Sequence, residues 1–345
     1  MSSIHWPLAA RVAGGMAGTH PLEGTYHFAA LTRLAPDLVA RAAALAAAET
    51  GLPWVGSPAV RVVTRVEWAE ANIDSFGRLL APAEKKLEIR AGRGLGGKIG
   101  ARLLAAEVGA LVGALAKRVL GQYELVVPSG EDTNGDTIMF AGANVLQMER
   151  QHEFRPDEFR FWVALHECTH RLQFTGVPWL RGHFMSLVDD LVEAAEPEPG
   201  RMQRLAEEMR QASRDGRPLV GESGLMGLLA TPHQRRLLER VQALMALLEG
   251  HGHVVMDRIG ARELVTQERM ARVLKQRRQD PRSKAFFRLT GLEMKMKQYD
   301  LGQRFILGVE RHAGFAALDA AWSGPEALPT LEEISHPQQW LARVG

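Results

Sequence analysis

Apolar and polar residues alternate with helical periodicity along most of the chain. In the first part the pattern predicts helices over residues 6–16, 26–48, 68–80 and 103–116. Stretches rich in β-branched residues are shorter and predict strands over 60–66, 123–127 and 137–145. Asn134-Gly135 is a hairpin signal between the last two strands, and from Pro156 onward the pattern is almost wholly helical. We therefore expect an α+β, predominantly helical protein with a small sheet and a large helical part.

The length of the chain is compatible with one large domain or two. With 345 residues, 46% of them hydrophobic, it can bury a substantial core. We expect residues 1–150 to hold the amino-terminal helices and the small sheet, and residues 151–345 to form the helical part. Both parts are predicted to belong to one compact unit.

Charge and cysteine content restrict the partners and the compartment. Forty-two Lys and Arg against 40 Asp and Glu give a net charge of +2, which gives no reason to expect binding to nucleic acid or an anionic membrane. Segment 103–116 is too short to span a bilayer, and its Gly109 and Gly113 would let a neighbouring helix approach closely. A single cysteine excludes a disulfide framework, and Arg11 interrupts any export signal. We expect a cytoplasmic protein.

The stretch His166-Glu-Cys-Thr-His170, an HExxH pentad, is the strongest chemical motif of the chain. Residues four apart lie on one face of a helix, so His166 and His170 can bind one metal ion together. Glu167 lies beside them and can accept a proton from a metal-bound water. Pro156 suits the first position of this helix, and Cys168 is expected to be a small buried side chain. The alternative is a purely structural role, in which the two histidines are hydrogen-bonded on a buried helix.

A catalytic zinc ion needs a third protein ligand, with a further position left to water. A histidine six residues after His170 is excluded because Gly176 occupies that position. His183 is expected past Pro178 on the exit loop of the helix. Asp189, Asp190 and Glu193 read as an acidic helix end.

A second helix, beginning at the capping-box sequence Thr231-Pro-His-Gln234, offers better candidates. Glu249, His253 and Asp257 are spaced by four on one of its faces, and metal binding would compensate the cost of placing them in an apolar helix. We predict Glu249 as the third ligand. His253 is the alternative ligand. If it is not a ligand, His253 or Asp257 is expected to hydrogen-bond to a ligand and so to orient it.

Three other residues of the second helix have expected places. His251 is expected at the rim of the pocket. Gly250 and Gly252 lower helix propensity, which suggests that this helix lies unusually close to the one that carries the pentad.

With these motifs the chain resembles a zincin-like family of candidate hydrolases and zinc-dependent metalloproteases. It is most similar to the subgroup that is linked by gene context to biosynthesis of the deazaflavin coenzyme. The residues that carry this resemblance extend over nearly the whole chain: Trp6, Val60-Arg-Val-Val63, Trp68, Asn72, Ser75-Phe76, His166–Phe174, Pro178-Trp-Leu180, Leu248-Glu-Gly-His251, Val255-Met-Asp257, Gln298-Tyr299, Gly302 and Leu328–Ile334. The resemblance implies one zinc ion on a largely helical, zincin-like fold, with the small sheet next to the HExxH helix. It implies no particular substrate.

The functional hypothesis is a zinc-dependent hydrolase, similar to a metallopeptidase. A zinc-bound water would attack an amide or peptide carbonyl, with Glu167 as proton acceptor. Tyr299 is a weak candidate for stabilising the oxyanion, and residues 138–145 could form an edge strand that pairs with an extended peptide. The alternatives are a zincin-like scaffold or regulatory binding protein with little or no turnover, and a structural protein in which the pentad is part of the core.

Overall fold

The computed structural model describes residues 4–90, 95–124, 136–194, 231–279 and 293–345. Within these ranges, side chains are described except at 82–90, 95–99, 277–279 and 293–299. Short 3₁₀ segments cover Pro21–Gly24, Phe315–Trp322 and Pro325–Ala327. The α-helices are α1 (Trp6–Ala17), α2 (Tyr26–Thr50), α3 (Arg65–Arg90), α4 (Leu95–Ala116), α5 (Gly142–His152), α6 (Pro156–Gly176), α7 (Leu180–Ala194), α8 (Pro232–Glu263), α9 (Gln267–Gln279), α10 (Glu293–Ala313), α11 (Leu331–Ser335) and α12 (Pro337–Val344). The prediction of a predominantly helical α+β fold is confirmed.

A small three-stranded sheet lies among these helices. Its strands are β1 (Ala59–Val63), β2 (Gly121–Glu124) and β3 (Thr137–Ala141), in the order β1-β3-β2. β1 pairs with β3 in parallel, and β2 pairs with β3 antiparallel, as the hairpin signal predicts. The hairpin turn itself lies outside the residues that the structure describes.

The prediction of an edge strand over residues 138–145 is wrong. β3 is the central strand and is hydrogen-bonded on both sides, and the chain turns into α5 at Gly142. The backbone groups of β3 are therefore already paired within the sheet, and an added peptide strand cannot use them. The strand beside the HExxH helix is β2, which packs against α6.

Two glycines of α4 allow α1 to approach closely, as predicted. A Cβ atom added at Gly109 would lie 2.5 Å from the carbonyl oxygen of Ala9, and one added at Gly113 would lie 2.5 Å from that of Ala13. Any larger residue would push the two helices apart. Within the part of the chain that the structure describes, no helix combines the length and the apolarity needed to cross a bilayer.

The largest core cluster joins α2, α6 and α8 with the central strand. Its fully buried members include Leu31, Phe140, Phe159, Leu165 and Leu248. α6 starts at Pro156 as predicted, with Asp157 and Glu158 in its first turn where the helix dipole favours negative charge. The capping box of α8 also forms, with the side chains of Thr231 and Gln234 each bonded to the other's backbone. This core fixes α6 and α8 side by side.

Candidate metal centre

The central part of α6 is buried on every side except one narrow stripe. From Phe159 to Gln173 all its residues are buried apart from Trp162, His166 and His170, and Phe174 continues the line. These four residues are spaced by four and therefore share one face of the helix. Both imidazoles thus lie in the middle of this partly exposed stripe of α6, with an aromatic ring one turn away on either side.

The structure brings Glu249 of α8 to the two histidines of α6. The Nε2 atoms of His166 and His170 are 3.2 Å apart. The Oε2 atom of Glu249 is 3.4 Å from Nε2 of His170 and 4.0 Å from Nε2 of His166. Among the described residues, these are the His, Cys, Asp or Glu side chains that converge closely enough to hold a metal ion.

The distances and donor types of this group fit a zinc ion. Ligand atoms of a tetrahedral zinc ion, with bonds of about 2.0–2.1 Å, lie about 3.3–3.4 Å from one another. Two of the three observed separations match this value, and the third exceeds it by less than about 1 Å. Two imidazoles and one carboxylate also form a known ligand set of catalytic zinc, which keeps its fourth position for water.

Solvent reaches this group from the histidine side. The side chains of His166 and His170 are 22% and 15% exposed, whereas that of Glu249 is 5% exposed. Glu249 therefore approaches from the interior, and the imidazoles lie on the solvent side. A metal ion bound here would be accessible to water and to a substrate on one side only.

The charges around His170 favour a cation at this place. Burial alone would lower the pKa of His170, but the carboxylates of Glu249 and Glu167 raise it, and the net pKa lies above its ordinary value. In the absence of a metal ion, a proton on His170 would supply this positive charge. A bound divalent metal ion would supply a larger positive charge at the same place.

Glu167 lies between α6 and strand β2. Its side chain is buried, and a Cβ atom added at Gly121 would lie only 2.6 Å from its Oε1 atom. Glycine at position 121 therefore leaves the space that the carboxylate occupies. The sheet sets the position of this side chain, which the sequence alone did not suggest.

The two histidines have different partners behind them. Nδ1 of His166 lies 3.2 Å from the sulfur of Met256, and Nδ1 of His170 lies 3.0 Å from Oε1 of Gln173. Gln173 was missed in the sequence analysis. Its signal was available, because a glutamine three residues after His170, on the inner side of an otherwise apolar helix, needs polar partners.

The other predicted site residues lie in different surroundings. His253 and Asp257 follow Glu249 along α8, and neither belongs to the converging group of described residues. Asp257 accepts hydrogen bonds from Gln267 and Gln303. Tyr299 is on α10, but its side chain lies outside those that the structure describes.

The residues rejected as third ligands lie on α7. His183 is on this helix rather than on a loop, and its ring contacts that of Trp179 edge to face. Asp189, Asp190 and Glu193 follow on the same helix. Within the described residues none of the four belongs to the converging group.

His251 and Gly250 differ from their expected places. His251 is not at a rim: it is 2% exposed, stacked on Phe315 and edge to face with Trp322. Burial lowers its pKa to about 3, so it is neutral at physiological pH. Gly250 faces α10, where an added Cβ would lie 2.6 Å from the Cα atom of Gly302.

Of the two glycines, only Gly252 faces the pentad helix. A Cβ atom added there would lie 3.6 Å from Cε1 of His170, an ordinary contact distance. The expectation that both glycines bring α8 close to α6 is therefore wrong for Gly250. Its absent side chain serves a second helix crossing, with α10.

Comparison with known proteins agrees with this geometry. A family model described as zincin-like metallopeptidase matches residues 4–341. The chain is also similar to the crystal structure of a candidate hydrolase with a novel fold from Chloroflexus aurantiacus, with 29% sequence identity and a TM-score of 0.71 over 99% of this chain and 98% of that one. No curated protein matches the sequence.

Proposed function

We propose that this chain, which belongs to the zincin-like metallopeptidase family, is a zinc-dependent hydrolase that acts on an amide or peptide bond. His166, His170 and Glu249 would hold one zinc ion. The observation that carries this proposal is the convergence of their three ligand atoms from two distant parts of the chain, with the buried Glu167 directly after His166 on α6.

A zinc ion in this place would supply Lewis acidity, which polarises a carbonyl and makes water a better nucleophile. Glu167 would take the proton from the attacking water and pass it to the leaving amine. Gly121 keeps the space in which this carboxylate sits. Because α6 opens to solvent along one stripe, the substrate carbonyl would reach the group from the side of the imidazoles.

The aromatic residues on either side of the histidine pair indicate the kind of substrate. Trp162 and Phe174 lie one helical turn before and after the histidine pair, about 6 Å along the axis in each direction. Phe174 contacts the rings of Tyr123 and Phe184, with centroids 6.4 and 5.9 Å apart. These partly exposed aromatic rings support a substrate with apolar groups on both sides of the scissile bond.

Other aspects of the function stay predictions. Stabilisation of the oxyanion by Tyr299 is one. The cytoplasmic location and the link to deazaflavin coenzyme biosynthesis are two more.

The deciding experiment combines metal analysis with a turnover assay. The full chain, purified without a histidine tag, is expected to contain about one zinc ion, and a library of peptides and acylated small molecules is screened by mass spectrometry. Glu167→Gln should retain zinc and lose turnover by about 10²–10⁴-fold. Glu239→Gln on the exposed face of α8 is the matched control and should behave as the wild type.

The outcomes separate the alternatives. A wild-type protein without bound zinc, and with no affinity for added zinc, would contradict the proposal and favour a purely structural pentad. Bound zinc with no turnover in either form would favour a zincin-like scaffold.

A further inference from the structure

Gln173 makes three polar contacts from a fully buried position on α6. Its Oε1 atom lies 3.0 Å from Nδ1 of His170. Its Nε2 atom donates to the carbonyl oxygen of Leu248 at 2.9 Å and lies 3.0 Å from Nδ1 of His251. The side chain is 0% exposed, so protein groups alone must satisfy its amide.

These contacts fix the orientation of the amide and, through it, the tautomer of His170. The carbonyl oxygen of Leu248 can only accept a hydrogen bond, so the nitrogen of the Gln173 amide must face it. The amide oxygen then faces Nδ1 of His170, which must carry a hydrogen. In the neutral ring Nε2 is therefore left with its lone pair, and that atom points at Glu249 and His166.

The third contact strengthens the same orientation. Since Gln173 presents an N–H group to His251, Nδ1 of His251 must be the acceptor. The ring of His251 is stacked on Phe315 and lies edge to face with Trp322, so its orientation is fixed by packing. A flipped Gln173 amide would lose its bond to Leu248 and would require the other tautomer of His251.

The same side chain also joins the two helices that supply the ligands. Leu248 directly precedes Glu249 on α8, and His170 lies one turn before Gln173 on α6. One amide thus fixes the ring of one ligand and the backbone next to another. Loss of this amide would leave buried polar groups on both helices without their partner.

We propose that Gln173 is a positioning residue of the metal centre, which sets the tautomer of His170 and locks the Glu249 turn of α8 against α6. This inference rests on the proposed function in one respect, that His170 is a zinc ligand. Hydrogen-bond partners behind a ligating histidine change metal affinity by about 10–100-fold in other proteins.

Two variants separate the tautomer role from the helix contact. Gln173→Met has nearly the same shape and removes all three hydrogen bonds, and zinc should bind about 10–100-fold more weakly. Gln173→Glu keeps an acceptor for His170 but, when ionised, has no N–H for Leu248 or His251. It should therefore bind zinc more tightly than Gln173→Met although it is no more stable to urea.

Zinc affinity is measured by competition with a chromophoric chelator, and the visible absorption of the cobalt-substituted protein reports ligand geometry. Gln234→Met is the matched control, because Gln234 is another buried glutamine whose amide bonds to backbone far from the centre. It should lower stability without changing zinc affinity.

The proposal is overturned if Gln173→Met binds zinc as the wild type does, or if Gln173→Glu is as weak as Gln173→Met. If Gln173→Met does not fold, Gln173→Glu decides alone: an affinity within tenfold of the wild type supports the tautomer role, and a larger loss overturns it.

A measurement on the metal-free wild type tests the tautomer without any ligand. In a long-range ¹H–¹⁵N spectrum of the neutral His170 ring, Nδ1 should be protonated and Nε2 should not. The reverse pattern overturns the proposal. If the wild type binds no zinc, the proposed function fails, but this spectrum still decides whether Gln173 sets the ring.

Discussion

Gly121 gives the sharpest test of how the sheet serves the candidate site. It lies at the start of β2, opposite Glu167, and its φ angle is outside the left-handed region. Alanine at this position is therefore compatible with the backbone. The effect of Gly121→Ala must come from its new methyl group alone.

The size of the effect follows from the distances. The added Cβ would lie 2.6, 2.9 and 3.0 Å from Oε1, Cγ and Cδ of Glu167, whereas ordinary contacts begin near 3.4 Å. Rotating one oxygen away does not relieve all three contacts, so the whole side chain must retreat by roughly 0.8 Å at its carboxylate. A displacement of about 1 Å in a catalytic group can cost about 10²-fold in rate, which corresponds to about 2.7 kcal/mol.

The assay compares kcat/KM and bound zinc in the same preparations, using the substrate found in the library screen. Gly121→Ala should lose about 10–100-fold in kcat/KM and keep its zinc, because Glu167 is not one of the three converging ligands. Gly182→Ala on α7 is the matched control, since nothing lies within 4 Å of its added Cβ.

Two results would refute this reasoning. Wild-type kcat/KM in Gly121→Ala would mean that the carboxylate does not need the position shown. A loss of zinc equal to the loss of activity would mean that the methyl group disturbs the histidine pair and not Glu167.

Three further predictions concern stability and reactivity. Gly250→Ala should lower the free energy of unfolding in urea by at least about 1–3 kcal/mol because it overpacks the crossing with α10, whereas Gly252→Ala should be neutral or stabilising; equal losses would contradict the packing described. Cys168 is 0% exposed and its pKa is raised by burial, so Ellman's reagent should label it only in the unfolded protein, and labelling at the same rate in the native state would contradict this. Zinc at 100 times its dissociation constant should raise the free energy of unfolding by about 2.7 kcal/mol, a gain that EDTA or His166→Ala should abolish.

Features with a local cause could be predicted from the sequence. The pentad helix begins at Pro156 because proline is suited to the first helical position, and α8 begins after Thr231 because its capping box is satisfied within four residues. The pairing of β2 with β3 follows from a hairpin signal in the chain that joins them. Convergence of Glu249 with the histidine pair was also accessible, because a carboxylate on an apolar helix must find a compensating charge.

Features set by neighbours distant in sequence could not be predicted in the same way. β1 pairs with β3, which is more distant in the sequence, and not with β2, the next strand along the chain. This pairing makes β3 the central strand. Periodicity shows that one face of α8 is buried, but not whether α6 or α10 covers a given residue of it. For this reason Gly250 was assigned to the wrong helix crossing, and His251 to a rim instead of an aromatic enclosure.

One turn of α8 shows why these residues occur together. Glu249 meets the histidines of α6, Gly250 meets α10, His251 enters the aromatic enclosure, and Gly252 lies against His170. Each glycine costs about 1 kcal/mol of helix propensity relative to alanine, and the two buried polar side chains also oppose folding unless partners compensate them. Such a sequence is unfavourable for a free helix. It is accounted for when the turn is enclosed by two helices, because that enclosure holds the carboxylate rigidly at the place where a metal ion needs it.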